Sequence, residues 1–247
     1  MAQWLSGTVT ANHHWHANLF SIKVQTPAFD FIAGQFVRLA IDTPDGRVQR
    51  AYSLVNSPGN LELEFLVSTV ADGLLSPLLQ QLKMGDKLDV SQPASGFFIL
   101  DEVPDGDNLW LISSGTGIGP YLSMLGTHTI WQRFKHIVLV HTVRTIADLA
   151  YRDYIHHWQH QYPNQLHYQP VVTREAMSGA LDLRLPQLIQ TGALQRSCKQ
   201  PLNERSQVML CGNPQMITDT KALLQSMGLK KNLRRDPGNI TVEQYWK

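Results

Sequence analysis

The sequence predicts two domains: an antiparallel β-barrel, then an α/β domain built on a parallel, Rossmann-like sheet. Three observations carry this expectation. The chain has 247 residues, more than the roughly 100–150 of a usual single domain. Its first hundred residues read as short strands separated by turn formers, and a later stretch alternates apolar strands with helical segments. The expected boundaries are 1–101 for the barrel, 102–108 for a linker and 109–247 for the α/β domain.

The barrel strands are expected at 5–10, 19–26, 36–41, 52–55 and 61–67, all rich in β-branched and aromatic residues. Pro27, Gly34, Asp45-Gly46 and Ser57-Pro58-Gly59-Asn60 lie between them and supply turn conformations. Strands at this spacing suit a closed antiparallel barrel, which leaves no bare edges. A short helix is expected over 76–82. The acidic Pro/Gly run from Asp101 to Asn108 then breaks the pattern. Beyond it, apolar strands are expected at 109–113, 137–143, 166–172 and 208–211, with helices over 121–134 and 147–161. Strand and helix in alternation predict a parallel sheet covered on both faces, with ligands at the carboxyl ends of its strands.

Composition narrows the function classes. With 43% hydrophobic and 17% charged residues the chain can bury a core. Its 21 Lys and Arg nearly cancel 20 Asp and Glu, for a net charge of +1. So weak a field gives no general attraction to nucleic acid or anionic lipid. Cys198 and Cys211 cannot form a disulfide framework and lack the spacing of a metal site. The ten histidines, among them His13, His14, His16, His156 and His157, are not joined by cysteines or carboxylates that would complete a ligand set. Met1-Ala2-Gln3-Trp4-Leu5 lacks the features of a signal peptide, and no apolar run approaches the roughly 20 residues that span a bilayer. A cytoplasmic protein is expected.

The strongest chemical signal is the run Leu109-Trp110-Leu111-Ile112-Ser113-Ser114-Gly115-Thr116-Gly117-Ile118-Gly119-Pro120. An apolar strand enters three glycines at alternate positions, and a helix begins at the proline. Glycines allow close backbone approach, and a helix start offers unpaired N–H groups to an anion. Pro120 suits a first helical position. The spacing differs from the Gly-x-Gly-x-x-Gly of dehydrogenases. A Gly-rich turn alone can be a plain structural loop; the strand before it and helix after it favour a nucleotide. Arg50-Ala51-Tyr52-Ser53 offers a guanidinium for phosphate and a ring for an aromatic ligand. Taken alone it reads sooner as an exposed arginine, a core tyrosine and a serine in a strand.

Four motifs occur in one order: Arg50-Ala51-Tyr52-Ser53, Val70-Ala71-Asp72-Gly73-Leu74-Leu75-Ser76, the turn 115–120, and Cys211-Gly212-Asn213-Pro214. Together they closely resemble the ferredoxin–NADP⁺ reductase family, and the closing Tyr245-Trp246-Lys247 resembles its bacterial flavodoxin/ferredoxin–NADP reductase branch. The resemblance spans essentially the whole chain. It implies a barrel that binds FAD non-covalently, then an α/β domain that binds NADP(H). The implied activity is hydride transfer between nicotinamide C4 and flavin N5, with single electrons passed to ferredoxin or flavodoxin. An NADH-using relative that reduces cytochromes or free flavins is the alternative.

The resemblance also assigns residues. Arg50 would neutralise the FAD pyrophosphate, Tyr52 cover one flavin face and Ser53 bond near N5, with Ala51 beside them. Leu74, Leu75 and Ser76 would offer backbone N–H groups to the pyrophosphate. Phe65 and Val67 would wall the FAD site or simply belong to a core strand. Thr116 would bridge flavin and nicotinamide. Cys211 would lie near nicotinamide C4 without acting as a nucleophile. NADP(H) contacts are expected from Val143, Arg144, Thr173, Arg174, Arg184, Asn213, Gln215 and Asp219. Of these, the arginines at 144, 174 and 184 would hold the 2′-phosphate that separates NADP from NAD.

At the C-terminus, two large aromatics either extend a final edge strand or cover a ligand. The resemblance favours the second, with Tyr245 on the other flavin face, Trp246 near the adenine and Glu243 tied to proton supply. Lys247 departs from family members that end at the tryptophan. Lys230, Lys231, Arg234 and Arg235 place four cations within six residues. Such a run is either a solvated face or a dock for an acidic redox partner, here ferredoxin or flavodoxin. A monomer is expected.

Overall fold

The structure is a computed structural model that describes residues 3–27 and 29–245. The chain divides into two compact units, Met1–Ile99 with Gly119–Thr127, and Leu100–Ile118 with His128–Lys247.

The first unit holds six antiparallel strands: β1 (Gln3–His16), β2 (Leu19–Gln25), β3 (Phe36–Thr43), β4 (Gly46–Ser53), β5 (Glu62–Ser68) and β6 (Lys87–Gln92). They lie in the order β4-β3-β6-β1-β2-β5. β1 is far longer than the expected 5–10, because it continues through the histidines to a tight turn that sets His16 opposite Leu19. β4 also starts earlier than expected. Its solvated residues pair with β3 along the whole strand, from Thr43 opposite Gly46 to Phe36 opposite Ser53. β6 was not expected from sequence, yet it sits mid-sheet between β1 and β3. The expected full closure is not reached by strand pairing, because β4 and β5 remain the two ends of the ladder. The chain just after β4 bridges them, with Val55 N–H donating to the Glu64 carbonyl at 2.9 Å.

Alternating residues of these strands, among them Phe20, Ile22, Leu39, Leu63, Phe65, Val67 and Val90, form one core. α1 (Ser76–Gln81) closes it with Leu79. Asn12 Nδ2 donates to the carbonyls of Leu79 and Leu82, which satisfies the open end of that short helix.

The expected helix over 121–134 is two helices, α2 (Gly119–Leu125) and α3 (His128–Arg133). The break falls at Gly126, where the Thr127 hydroxyl takes over the Met124 carbonyl at 2.7 Å. α2 belongs to the first unit, where Ser123 Oγ donates to the Asn56 carbonyl and Tyr121 packs on Phe98. Residues 119–127 thus group with the first unit, although they lie within the expected 109–247 segment.

The second unit is a five-stranded sheet of β7 (Asn108–Ser114), β8 (His136–Val143), β9 (Leu166–Val172), β10 (Ser206–Gly212) and β11 (Ile240–Gln244). Every pairing is parallel, in the order β11-β10-β7-β8-β9. α4 (Arg152–Gln161) lies against β9, and α5 (Leu185–Gln190), α6 (Ala193–Cys198) and α7 (Pro214–Ser226) complete the helices. Leu185, Leu188, Leu194, Ile217 and Leu224 from the last three cover one sheet face, against Trp110, Val138 and Leu210. After β9 the chain crosses to the other side of β7 to form β10. This reversal puts a switch point between β7 and β10, the place where open α/β sheets bind ligands beyond their carboxyl ends.

Candidate functional site

At the switch point, the turn after β7 meets the turn after β10. The Gly-rich residues Gly115–Ile118 form one 3₁₀ turn. Gly115 has φ +54°, a left-handed conformation that glycine adopts without strain. Gly117 is required for a different reason: a Cβ there would lie 2.6 Å from the Cys211 carbonyl oxygen. Gly212 combines both, with φ +124° and a backbone packed on Ser114. Ser114 Oγ accepts the Asn213 N–H at 2.8 Å and ties the two turns together. The two glycine motifs are thus one construction.

Asn213 caps α7. Its Oδ1 accepts from Gln215 N–H at 2.9 Å and Met216 N–H at 3.2 Å. Gln215 Nε2 in turn donates to Asp219 Oδ1 at 2.7 Å. The three residues expected to touch NADP(H) are therefore linked in one exposed cluster on the first turns of α7.

Cys211 is wholly buried, in register with Ser113 on one side and Glu243 on the other. Burial pushes its thiol well above the ordinary range, the Glu243 carboxylate adds to this, and a hydrogen bond with Tyr245 opposes it. The group is a neutral thiol, suited to packing against a ring and not to nucleophilic attack. Ile240–Gln244 forms an edge strand on β10, so the strand reading holds for that stretch. Tyr245 follows it and its hydroxyl donates to the Thr116 carbonyl at 3.3 Å. The expectation for Trp246 lies outside the described residues.

The three arginines stand at the carboxyl side of the same sheet. Arg144 follows β8 and Arg174 follows β9, and Arg174 N–H donates to the Arg144 carbonyl at 2.9 Å. Thr173 is joined to Val143 by both its N–H and its hydroxyl, each at 3.1 Å. The chain then returns so that Leu181 pairs in parallel with Val171. It therefore runs toward the carboxyl edge again and delivers Arg184 to the N-cap of α5. All three arginines are exposed, and none makes an ion pair among the described residues. Glu175, which was not anticipated, accepts the Ile146 N–H at 2.7 Å and joins the loops after β8 and β9.

In the first unit, Arg50, Ala51, Tyr52 and Ser53 close β4. The Arg50 guanidinium is exposed and donates to the Gln49 carbonyl at 2.7 Å, with no ion pair among the described residues. Tyr52 is half-buried; burial pushes its phenol up to about 12, against the opposing charge of Arg50, so it stays protonated. Phe65 and Val67 lie wholly in the core of the first unit. Leu74 is exposed, whereas Leu75 and Ser76 are buried at the start of α1. Ser76 Oγ accepts the Val70 N–H at 3.0 Å and folds that loop back on the helix.

An unpaired guanidinium beside a protonated ring fits a pyrophosphate-bearing flavin, and three arginines without ion pairs past the carboxyl ends of a parallel sheet fit a nucleotide with an extra phosphate. Among the described residues no group of three or more His, Cys, Asp or Glu could hold a metal ion, and no helix is long and apolar enough to cross a membrane.

Fold and site define a two-unit flavin- and pyridine-nucleotide-binding oxidoreductase. Residues 5–99 match the oxidoreductase FAD-binding domain family and residues 111–222 the oxidoreductase NAD-binding domain family. The chain is 49% identical to a flavodoxin/ferredoxin–NADP reductase of Shigella flexneri and 48% identical to that of Escherichia coli, with all of each chain covered. It superposes with a TM-score of 0.94 on a ferredoxin NADP⁺ reductase from Neisseria gonorrhoeae solved with bound FAD and NADP, at 30% identity and full coverage of both. The chain belongs to the flavodoxin/ferredoxin–NADP reductase family.

Proposed function

We propose that this chain is an FAD-dependent oxidoreductase that moves electrons between NADP(H) and the one-electron carriers ferredoxin or flavodoxin. The observation that carries the reading is the set of arginines without ion pairs among the described residues, Arg144, Arg174 and Arg184, at the carboxyl side of the parallel sheet that also carries the Gly-rich turn. When bound, FAD supplies the conversion between a hydride and single electrons.

The residues divide that work. In the division proposed, 1–101 bind FAD, 102–108 link and 109–247 bind NADP(H). Arg50 neutralises pyrophosphate, Tyr52 and Ser53 serve the flavin ring, and Leu74, Leu75 and Ser76 offer backbone N–H groups. Ala51 lies beside Arg50 and Tyr52, and Phe65 and Val67 belong to the strand that walls the FAD site. Thr116 bridges flavin and nicotinamide, Tyr245 covers the other flavin face, and Trp246, outside the described residues, is assigned to the FAD adenine. Arg144, Arg174 and Arg184 select the 2′-phosphate, with Val143, Thr173, Asn213, Gln215 and Asp219 around the nucleotide. Cys211 orients the nicotinamide as a neutral thiol, and Glu243 serves proton supply.

Lys230, Lys231 and Arg235 are exposed cations that suit an acidic carrier, and Arg234 joins them while paired with Glu102 at 3.1 Å. The protein acts as a cytoplasmic monomer. The test is turnover: NADPH should drive reduction of ferredoxin or flavodoxin, whereas NADH at the same concentration should be far slower. Equal use of both would reject the arginine assignment.

A further inference from the structure

His141 lies on β8, three residues before Arg144, with no exposed surface. Its Nε2 stands 3.0 Å from the Gly115 carbonyl oxygen. A carbonyl can only accept, so the proton sits on Nε2. Burial lowers the ring's pKa to about 4, opposed in part by the Gly115 bond and by the Asp148 charge, so the ring is neutral. Nδ1 is then a bare acceptor, buried and with no hydrogen-bond partner among the described residues. This side chain is held inside the sheet at an energetic cost, and its one hydrogen bond goes to the first residue of the Gly-rich turn.

The carbonyl it holds matters because of peptide geometry. A trans peptide points its C=O and the next N–H in opposite directions. Fixing the Gly115 carbonyl toward His141 on β8 therefore turns the Thr116 N–H the opposite way, away from β8. Gly115 is exposed and lacks a side chain, so its peptide would otherwise rotate easily. Tyr245 acts likewise one residue later, on the Thr116 carbonyl. Two successive carbonyls of the turn are thus each held by a side-chain donor, one on β8 and one just after β11.

We propose that His141 is a positioning residue for the pyridine nucleotide: its Nε2–H anchors the Gly115 carbonyl and so aims the Thr116 N–H at the bound dinucleotide. This rests on reading 115–120 as the nucleotide turn. A leucine in its place fills similar space but cannot donate, whereas a glutamine keeps an N–H.

The test compares His141→Leu and His141→Gln holoenzymes, using NADPH with ferricyanide as acceptor, beside ¹⁵N NMR of histidine in the unsubstituted protein. The leucine variant should raise KM for NADPH about tenfold with KM for ferricyanide unchanged, and glutamine should restore most of the loss. An unchanged KM in the leucine variant, or a glutamine variant no better than leucine, would overturn the proposal. The NMR spectrum should show a neutral, Nε2-protonated ring down to about pH 5; an Nδ1-protonated or cationic ring at neutral pH would overturn it even if both variants failed to fold. An unsubstituted protein that does not oxidise NADPH would instead reject the function, while the spectrum would still decide the hydrogen bond.

Discussion

Arg174 donates its backbone N–H to the carbonyl of Arg144 at 2.9 Å, so two residues with unpaired cations adjoin just past the ends of β8 and β9. The bond joins the two loops just beyond the last strand residues, Val143 and Val172. The chain that carries each guanidinium is therefore anchored by the sheet.

Replacing both with alanine measures what they select. Each charged hydrogen bond to phosphate contributes roughly 1.5–3 kcal/mol, so the pair should separate NADPH from NADH by about two to four decades. Arg144→Ala with Arg174→Ala should raise KM for NADPH by about that factor and leave KM for NADH nearly unchanged. Steady-state kinetics with both nucleotides checks this, and equal rises would remove the 2′-phosphate assignment.

Glu175 ties the loop after β9 to the one after β8 through the Ile146 N–H. A single such bond contributes about 1 kcal/mol. Glu175→Ala should therefore raise KM for NADPH about fivefold, and Glu175→Gln, which still accepts, should stay close to the parent. Parallel behaviour of the two variants would show that the carboxylate charge, not the tie, matters.

Gly117→Ala would place a methyl 2.6 Å from the Cys211 carbonyl oxygen and 2.7 Å from its carbon. Both are backbone atoms and cannot swing aside. Overpacking of this kind costs about 1–3 kcal/mol, which a urea melt would register, and NADPH oxidation should fall further than stability alone explains. A variant with parental stability and kinetics would contradict the close approach of the two turns.

His141 makes stability depend on pH. Its pKa is about 4 in the fold and 6.5 in the unfolded chain. Unfolding therefore takes up a proton between these values, and stability falls as pH drops from 6.5 toward 4. The loss from this group approaches about 3 kcal/mol at the acid end. Urea midpoints across that range should decline less steeply in His141→Gln than in the parent; identical slopes would assign the decline to other groups.

Where apolar residues alternate or run together, the sequence already marks the element. β9 was expected over 166–172 and is found as Leu166–Val172, and α1 falls one residue short of expectation. β6 escaped because only two of its six residues, Leu88 and Val90, are apolar, too few to display an alternation. β4 escaped in part because an edge strand with mostly solvated side chains looks like a loop. The placement of α2 in the first unit depends on contacts such as Ser123 with Asn56, which leave no periodic trace.

The site divides in the same way. Gly117 and Gly212 were visible as motif glycines, although that they pack on each other's turns was not. His141 and Glu175 each act through one hydrogen bond to a distant backbone group, and an isolated residue with such a role has no spacing to reveal it. Ser114 sat beside the motif and could have been suspected from its position alone.

Electron transfer by this protein requires a flavin that NADPH reduces. The measurement that reaches this most directly is the visible spectrum of the purified protein, recorded without oxygen before and after NADPH. A yellow protein whose flavin bands bleach with NADPH, and much more slowly with NADH, is the predicted result. A protein that neither carries nor takes up FAD, or whose flavin stays oxidised with NADPH present, would contradict the account.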